Sequence, residues 1–343
     1  MLLLHEPAPM ARAAEMAERA RAFLLAGQDA RGAWRDFFLP AGESDGWVTA
    51  YVALALAESG NDHALAAARC GWAHLETAIK SDGGWGYNAL TPSDADSTVW
   101  ALRLAEALGQ RESTAARRGR AFLAMHRVGG GVTTYASAEG PRGYVGLPDS
   151  IDFSGWTRAH ICVSAAAAGL TGLADADLQG FLVAQQATDG HWPSYWWFDP
   201  GYATAEAVEA LGAAAPRDRA AVFAAERLAA LLAGDVSSAF ALAHLIRIIA
   251  STSGQGLDRA IPALAAVQAD NGSWPASARL RVPSPECHAP TDEARWKPWH
   301  GLRAMPKTLD EVLTMTFTIT SLDHRRAFTT ATVLRALTAA AQA

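Results

Sequence analysis

Apolar residues in this chain recur at helical spacing over segments of helical length, and those segments come in pairs. In each pair one helix mixes apolar and polar positions and the next is nearly all apolar. The pairs repeat. The first has the turn "GQDARGAW" (Gly27 to Trp34) and the helix "GWVTAYVALALAE" (Gly46 to Glu58). The second runs from a helix around Ala64 to Ile79 through "DGGWGY" to "DSTVWALRLAEAL" (Asp96 to Leu108). The third has a helix from Thr114 to His126, a glycine turn at Gly129 to Gly131, and "GWTRAHICVSAAAAGL" (Gly155 to Leu170). The fourth has "LQGFLVAQQATDGHW" and "GYATAEAVEALG" (Gly201 to Gly212). The fifth lacks the Trp turn and ends in "SSAFALAHLIRIIA" (Ser237 to Ala250). The sixth has "IPALAAVQADNGSW", a long insertion, and "FTTATVLRALTAA" (Phe328 to Ala340).

Six pairs with one apolar helix each predict two concentric layers, the apolar helices inside. Closing six pairs into a ring removes the exposed ends of an open solenoid. The expectation is an all-α (α/α)6 barrel over residues 1–343 as one domain, with an irregular insertion at about 275–325. Thr314 to Thr320 is the main strand candidate. The N-termini of the inner helices then share one face, around a central cavity.

Aligning the copies on an inner-helix threonine puts Asp45 four before Thr49 and Asp94 four before Thr98. It puts Asp152 five before Thr157 and Asp199 five before Thr204. An acid ahead of an inner helix caps free N–H groups and suits the positive helix end. Asp94 follows that capping rule. Asp96 does not: two before the threonine the other copies have Trp47, Gly155 or Tyr202. Two carboxylates this close disfavour double ionisation, so one can hold a proton at neutral pH.

Composition narrows the function. The chain has 343 residues, half of them hydrophobic, and a formal charge of −6, with no basic surplus for nucleic acid. Cys70, Cys162 and Cys287 are odd in number and widely spaced, as in a reducing compartment. Leu2 to Leu4 is too short for a signal segment, and polar residues interrupt every Ala/Leu run before membrane-spanning length. A cytoplasmic protein is the expectation, with peripheral membrane contact and a homodimer or second subunit left open.

The chain resembles the squalene-hopene and class II terpene cyclases. Its Gln-to-Trp turns resemble that family's QW repeats: Gln28 with Trp34, Gln185 or Gln186 with Trp192, and Gln268 with Trp274. "GGWGYNALTPSDADSTVWAL" resembles the GGWxF segment that runs into the family's Asp-x-Asp-Asp-Thr motif. The resemblance implies that Asp96 is the proton-donating middle aspartate and Asp94 the first. Tyr87 falls on a pocket aromatic. "SGWTRAH" resembles the segment whose histidine hydrogen-bonds the acid, a role that falls on His160. Two departures stand out. Ser97 replaces the last acid of the motif, and only one of the two barrels usual in the family is present. The segment after Trp274 has no counterpart and is a candidate lid or added wall.

The implied reaction is proton-initiated cyclisation or isomerisation of a linear isoprenoid or similar polyene, with no cofactor required. A carbocation needs a dry cavity and aromatic faces. Trp47, Tyr87, Trp156, Trp196, Trp197 and Tyr202 are the substrate-binding candidates at the mouth, and Trp100 lies one helical turn beyond Asp96. Trp34, Trp85, Trp192 and Trp274 are expected to plug turns. If the substrate carries a diphosphate, Mg²⁺ would assist at a basic rim, for which Arg142, Arg158 and Arg279 are candidates. Two other readings compete. One is a zinc-dependent transferase like the protein-prenyltransferase β-subunits, with Cys287, His288 and Asp292 as ligands. The other is a non-catalytic toroid that binds a lipid or a protein.

Overall fold

The computed structural model describes residues 9–212, 214–234, 236–291, 297–298 and 317–343. Its helices pair in chain order: α1 (Pro9–Ala26) with α2 (Gly46–Glu58), and α3 (Asp62–Ala78) with α4 (Ala95–Ala107). Next comes α5 (Thr114–Ala124) and, beyond the short α6 (Glu139–Val145) and α7 (Ser154–Thr157), its partner α8 (Ile161–Ala168). Then α9 (Ala176–Ala184) pairs with α10 (Gly201–Ala210), and α11 (Ala214–Leu232) with α12 (Ala239–Ser251). Last, α13 (Leu257–Ala266) pairs with the final helix, α14 (Ala327–Ala340). Each second member packs on the next, and α14 packs back on α2, so the inner ring closes. The fold is the all-α toroid of six helix pairs.

Burial explains the two layers. Every residue of α2 from Gly46 to Leu56 is buried, as is every residue of α12 from Ala239 to Ile249. A helix apolar on all sides has to be surrounded. In α3 only Ala64, Ala67, Ala68, Gly71, Trp72 and Leu75 are buried, one stripe at i, i+3, i+4, i+7.

The turns between layers are built alike. The indole N–H groups of Trp34, Trp85, Trp192 and Trp274 donate to carbonyls of their own outer helices, at Leu24, Leu75, Leu182 and Leu264 (2.7–2.8 Å). Their backbone N–H groups donate to inner-helix hydroxyls at Thr49, Thr98, Thr204 and Thr330. Gln28, Gln186 and Gln268 brace the same turns and reach the neighbouring outer helix. Each buried indole removes about 200 Å² from water, worth about 5 kcal/mol.

The same hydroxyl bond corrects the third repeat. There the backbone N–H of Val132 donates to Ser164 Oγ (2.8 Å), so Ser164, not Thr157, matches the repeated threonine. Thr157 belongs to the short α7, whose N-cap is Phe153, and Asp152 Oδ1 accepts from Ser154 N (2.8 Å) just ahead of it. The residue four before Ser164 is His160, the N-cap of α8. An acid ahead of every inner helix is therefore not a rule of the ring. Asp45 makes no side-chain cap bond, and α12 is capped by Ser238.

With the register corrected, the second residue of each inner helix is Trp47, Asp96, Cys162, Tyr202, Phe240 or Phe328. Asp96 is the one carboxylic acid in this ring. Trp197 packs on Trp47, Tyr202, Phe240 and Phe328, at centroid distances of 5.7, 4.9, 5.2 and 5.1 Å.

Strands supplement the helices. β1 (Asp36–Leu39) and β2 (Gly42–Ser44) form a hairpin, as do β3 (Arg127–Val128) and β4 (Gly131–Val132). In the sixth-repeat insertion, β5 (Arg279–Val282) pairs antiparallel with β7 (Phe317–Leu322), which also pairs parallel with β6 (Lys297–Pro298). Of the strand expected at Thr314 to Thr320, residues 317–320 lie in β7, which continues to Leu322, and residues 314–316 fall outside the described ones. Asp36 joins the ends of the ring: its carboxylate accepts from the N–H groups of Arg325, Ala327 and Phe328 at the start of α14.

Deeper in the inner ring, Glu206 accepts from Arg103, Arg247 (2.8 Å) and Arg335 (3.2 Å). Glu209 pairs with Arg247 and Glu58 with Arg335, so three cations face three anions across five inner helices. Among the described residues no helix is long and apolar enough to cross a membrane.

Candidate active site

The inner-helix N-termini open into a cavity of about 690 Å³. One wall comes from the α4 start, with Asp94, Asp96 and Ser97. Trp47 and Tyr87 are stacked beside it (6.4 Å, 25°). Opposite stand Tyr135, Trp156 and Trp196, each 5.9 Å centroid to centroid from the next. Tyr144, Leu147 and Ile151, in α6 and the loop after it, cover part of the opening.

The remaining wall is the strap that begins in β5, Leu280 to Glu286. It is held by its own carbonyls. Trp156 Nε1 donates to Pro283 O (3.0 Å), Tyr195 Oη to Cys287 O (2.8 Å), and Arg158 to His288 O (3.2 Å). Gly155 lets it lie close: a Cβ there would stand 2.4 Å from both Pro285 O and Cys287 O. This first part of the insertion is a wall of the cavity.

The two aspartates differ in what reaches them. Asp94 caps α4. Its Oδ1 accepts from Ser97 N (2.7 Å) and its Oδ2 from Ser97 Oγ (2.8 Å). Ser97 thus supplies a donor where a third acid would add charge. Burial raises the Asp94 carboxyl to about 6 against these bonds. Asp96 points to the cavity, yet its buried Oδ1 has no hydrogen-bond partner. Burial first, and the neighbouring Asp94 charge second, push it up to about 8 against a hydrogen bond from the Trp100 side chain. Two donors from Ser97 reach Asp94 and none reaches Oδ1 of Asp96, an imbalance that favours the charge on Asp94 and the proton on Asp96.

His160 is not the partner the sequence suggested. Its Nδ1 meets Thr134 Oγ1 (2.6 Å), its Nε2 meets Gly155 O (2.8 Å), and its ring stacks on Tyr195 (4.0 Å, 20°). Both ring nitrogens are occupied away from Asp96. Burial drives the imidazole down to about 3, so it is neutral.

Of the expected aromatics, Trp47, Tyr87, Trp156 and Trp196 line the cavity. Trp100, Trp197 and Tyr202 do not. Trp197 fills the ring among the N-terminal aromatics. Trp100 donates Nε1–H to Tyr202 Oη (3.0 Å) and lies under Arg103 (4.6 Å) and Arg335 (5.3 Å). These three form the floor beneath the site, since a helical turn carries Trp100 down the barrel from Asp96.

The basic rim is also corrected. Among the described residues the cavity is lined by no Lys or Arg, and its charged groups are Asp94, Asp96, Asp152 and Glu286. Arg142 donates to Ile151 O, Arg158 holds the strap, and Arg279 stacks on Phe198 (4.3 Å). Of the zinc candidates, His288 Nε2 bonds Ser154 Oγ (2.7 Å), and Asp292 lies outside the described residues. Among the described residues no three His, Cys, Asp or Glu side chains are grouped to hold a metal. Thr134, Tyr135 and Ser284 were missed from sequence because they sit in non-periodic loops.

A cavity in a helical toroid, entered at the inner-helix N-termini and holding one protonated acid among aromatic faces, defines a class: proton-initiated polyene cyclases. No family model matches the chain, and no curated protein matches it. Solved structures do. The type II terpene cyclase MstE from Scytonema, as an Arg→Ala variant in complex with its substrate geranylgeranyl dihydroxybenzoate, is 34% identical with a TM-score of 0.85. The match covers 97% of this chain and 99% of that one. A second MstE structure holds the product merosterolic acid A. A protein from Actinoplanes is 36% identical over 96% of this chain and 99% of its own, with a TM-score of 0.83. The chain belongs to the type II terpene cyclases, enzymes that begin cyclisation by protonating an alkene with a general acid. The prenyltransferase-like and non-catalytic readings are not favoured.

Proposed function

We propose that Asp96 is the acid of this cyclase and that its substrate is a prenylated small molecule whose polyene tail fills the cavity. The observation that carries the assignment is the unpartnered Oδ1 of Asp96 beside an Asp94 that accepts two hydrogen bonds. Asp96 transfers its proton to one alkene carbon, forming a C–H bond and a cation at the other. The π electrons of the next alkene close the ring, and loss of a proton from the last cation leaves an isomer of the substrate. Trp47, Tyr87, Trp156 and Trp196 face the cation and exclude water. Asp94 stays ionised, with Ser97 as its donor, and its charge keeps the proton on Asp96.

The head group is a prenylated arene rather than a diphosphate. MstE acts on geranylgeranyl dihydroxybenzoate, and among the described residues the cavity lining offers Asp94, Asp152 and Glu286 and no Lys or Arg to a diphosphate. Residues 1–343 act as one toroid with squalene-hopene-type Gln-to-Trp turns, working in the cytoplasm, the insertion standing in for a second barrel.

The test is incubation of wild type and Asp96→Asn with polyprenyl hydroxybenzoates and polyprenyl diphosphates in D₂O. Wild type should convert the arene to a cyclised isomer carrying one new deuterium, and Asp96→Asn should be slower by at least about 1,000-fold. Equal turnover by both proteins sinks the acid assignment, and turnover of the diphosphate alone sinks the head-group assignment.

A further inference from the structure

Thr134 sits where three parts of the site meet. Its carbonyl accepts from the backbone N–H of Ala95 (2.9 Å), the residue between the two aspartates. Its hydroxyl accepts from Trp196 Nε1 (2.8 Å) and contacts His160 Nδ1 (2.6 Å). The direction of this chain is fixed. Gly155 O can only accept, so His160 Nε2 carries the hydrogen. The neutral ring then offers Nδ1 as an acceptor, and Thr134 donates to it. With its single hydrogen committed, the Thr134 oxygen receives the indole N–H. All three side chains are buried (Thr134 4%, His160 2%, Trp196 8% exposed). Thr134 and Trp196 line the same cavity as Asp96.

We propose that Thr134 and His160 are positioning residues that hold the Trp196 indole at a set place relative to Asp96, so that its face meets the cation as the rings form. Thr134 is the joint: its backbone grips the acid-bearing turn and its hydroxyl grips the aromatic wall. His160 acts through Thr134 by ordering which way that hydroxyl points. This replaces the acid-tuning role inferred from sequence. A loosened indole presents its face to the cation only part of the time. Early loss of a proton then competes with further ring closure by roughly 10-fold more than in wild type. The proposal rests on the acid and substrate assignment above.

The experiment compares wild type, Thr134→Val, Thr134→Ser, Trp196→Phe and the Thr134→Val/Trp196→Phe double variant. Two readouts are used: the ¹⁵N–¹H resonance of the Trp196 indole, identified by its loss in Trp196→Phe, and the product ratio from a polyprenyl hydroxybenzoate. Thr134→Val should move the indole resonance and shift the products about 10-fold toward less cyclised ones. KM should stay within about 2-fold. Thr134→Ser should restore both readouts, and the double variant should match Trp196→Phe alone. An unmoved resonance in Thr134→Val overturns the clamp whether or not any substrate turns over. A moved resonance with unchanged products, or an equal product shift in the Trp196→Phe background, overturns the role in catalysis. If Thr134→Val gives no dispersed spectrum, Thr134→Ala is read by the same criteria. Absence of turnover by wild type counts against the functional reading and leaves the resonance test standing.

Discussion

Replacing Asp96 with asparagine should abolish catalysis and stabilise the protein, and the stabilisation should grow with pH. The Asp96 carboxyl titrates at about 8 in the fold against 3.8 when free. Between those values the folded chain holds a proton that the unfolded chain has lost. Stability therefore falls as pH rises through that window. At pH 7 the gap is roughly 3 pH units, about 4 kcal/mol. Asparagine is neutral in both states and escapes this penalty. With about 2.1 cal/mol/K of unfolding entropy per residue, the gain is about 6 °C at pH 7. The difference in Tm between variant and wild type should widen by about 5 °C from pH 5 to pH 8. Asp323, raised to about 7, titrates in both proteins and cancels, whereas Asp94, raised to about 6, is coupled to Asp96 and contributes to the same difference. Differential scanning calorimetry at half-unit pH steps measures it. A difference that stays flat across pH 5 to 8 would refute the claim that the fold keeps Asp96 protonated.

Three further outcomes follow from the geometry. Wild-type kcat/KM should be level near pH 7 and fall about 10-fold per unit above pH 8, as Asp96 loses its proton; a stopped assay with buffer overlap checks it. Gly155→Ala should push the 283–288 strap off α7, because the new Cβ meets two backbone carbonyls at 2.4 Å; KM for the prenylated substrate should rise at least about 10-fold. Glu206→Gln should leave three buried arginines facing two glutamates and lower stability by about 3–5 kcal/mol, read from the urea midpoint.

Much of this was legible in the chain. Alternation of all-apolar and striped helices determined the two layers, since a helix without a polar face has to lie inside. The Gly/Trp turns marked four of the six repeats, and the helix pairs supplied the other two. Asp96 was visible as the position where the second repeat breaks the pattern of the others.

The third repeat was not legible. Serine stands for threonine at Ser164, and "GWT" at Gly155 to Thr157 imitates an inner-helix start. The inferred register therefore slipped by seven residues, and the partner that the family resemblance gave His160 is replaced by Thr134 and Gly155. Only the tertiary structure decided which aromatics face the cavity. Trp196 and Trp197 are sequence neighbours, yet one lines the cavity and the other, bridged to Leu280, fills the ring. Only it placed the sixth-repeat strap against the third repeat, through carbonyls that any sequence would supply. Nor could sequence decide which aspartate is the acid in physical terms. The residues Asp94, Asp96 and Ser97 are written in the chain, but the number of donors reaching each carboxylate depends on how the helix start is buried, and that number sets where the proton rests.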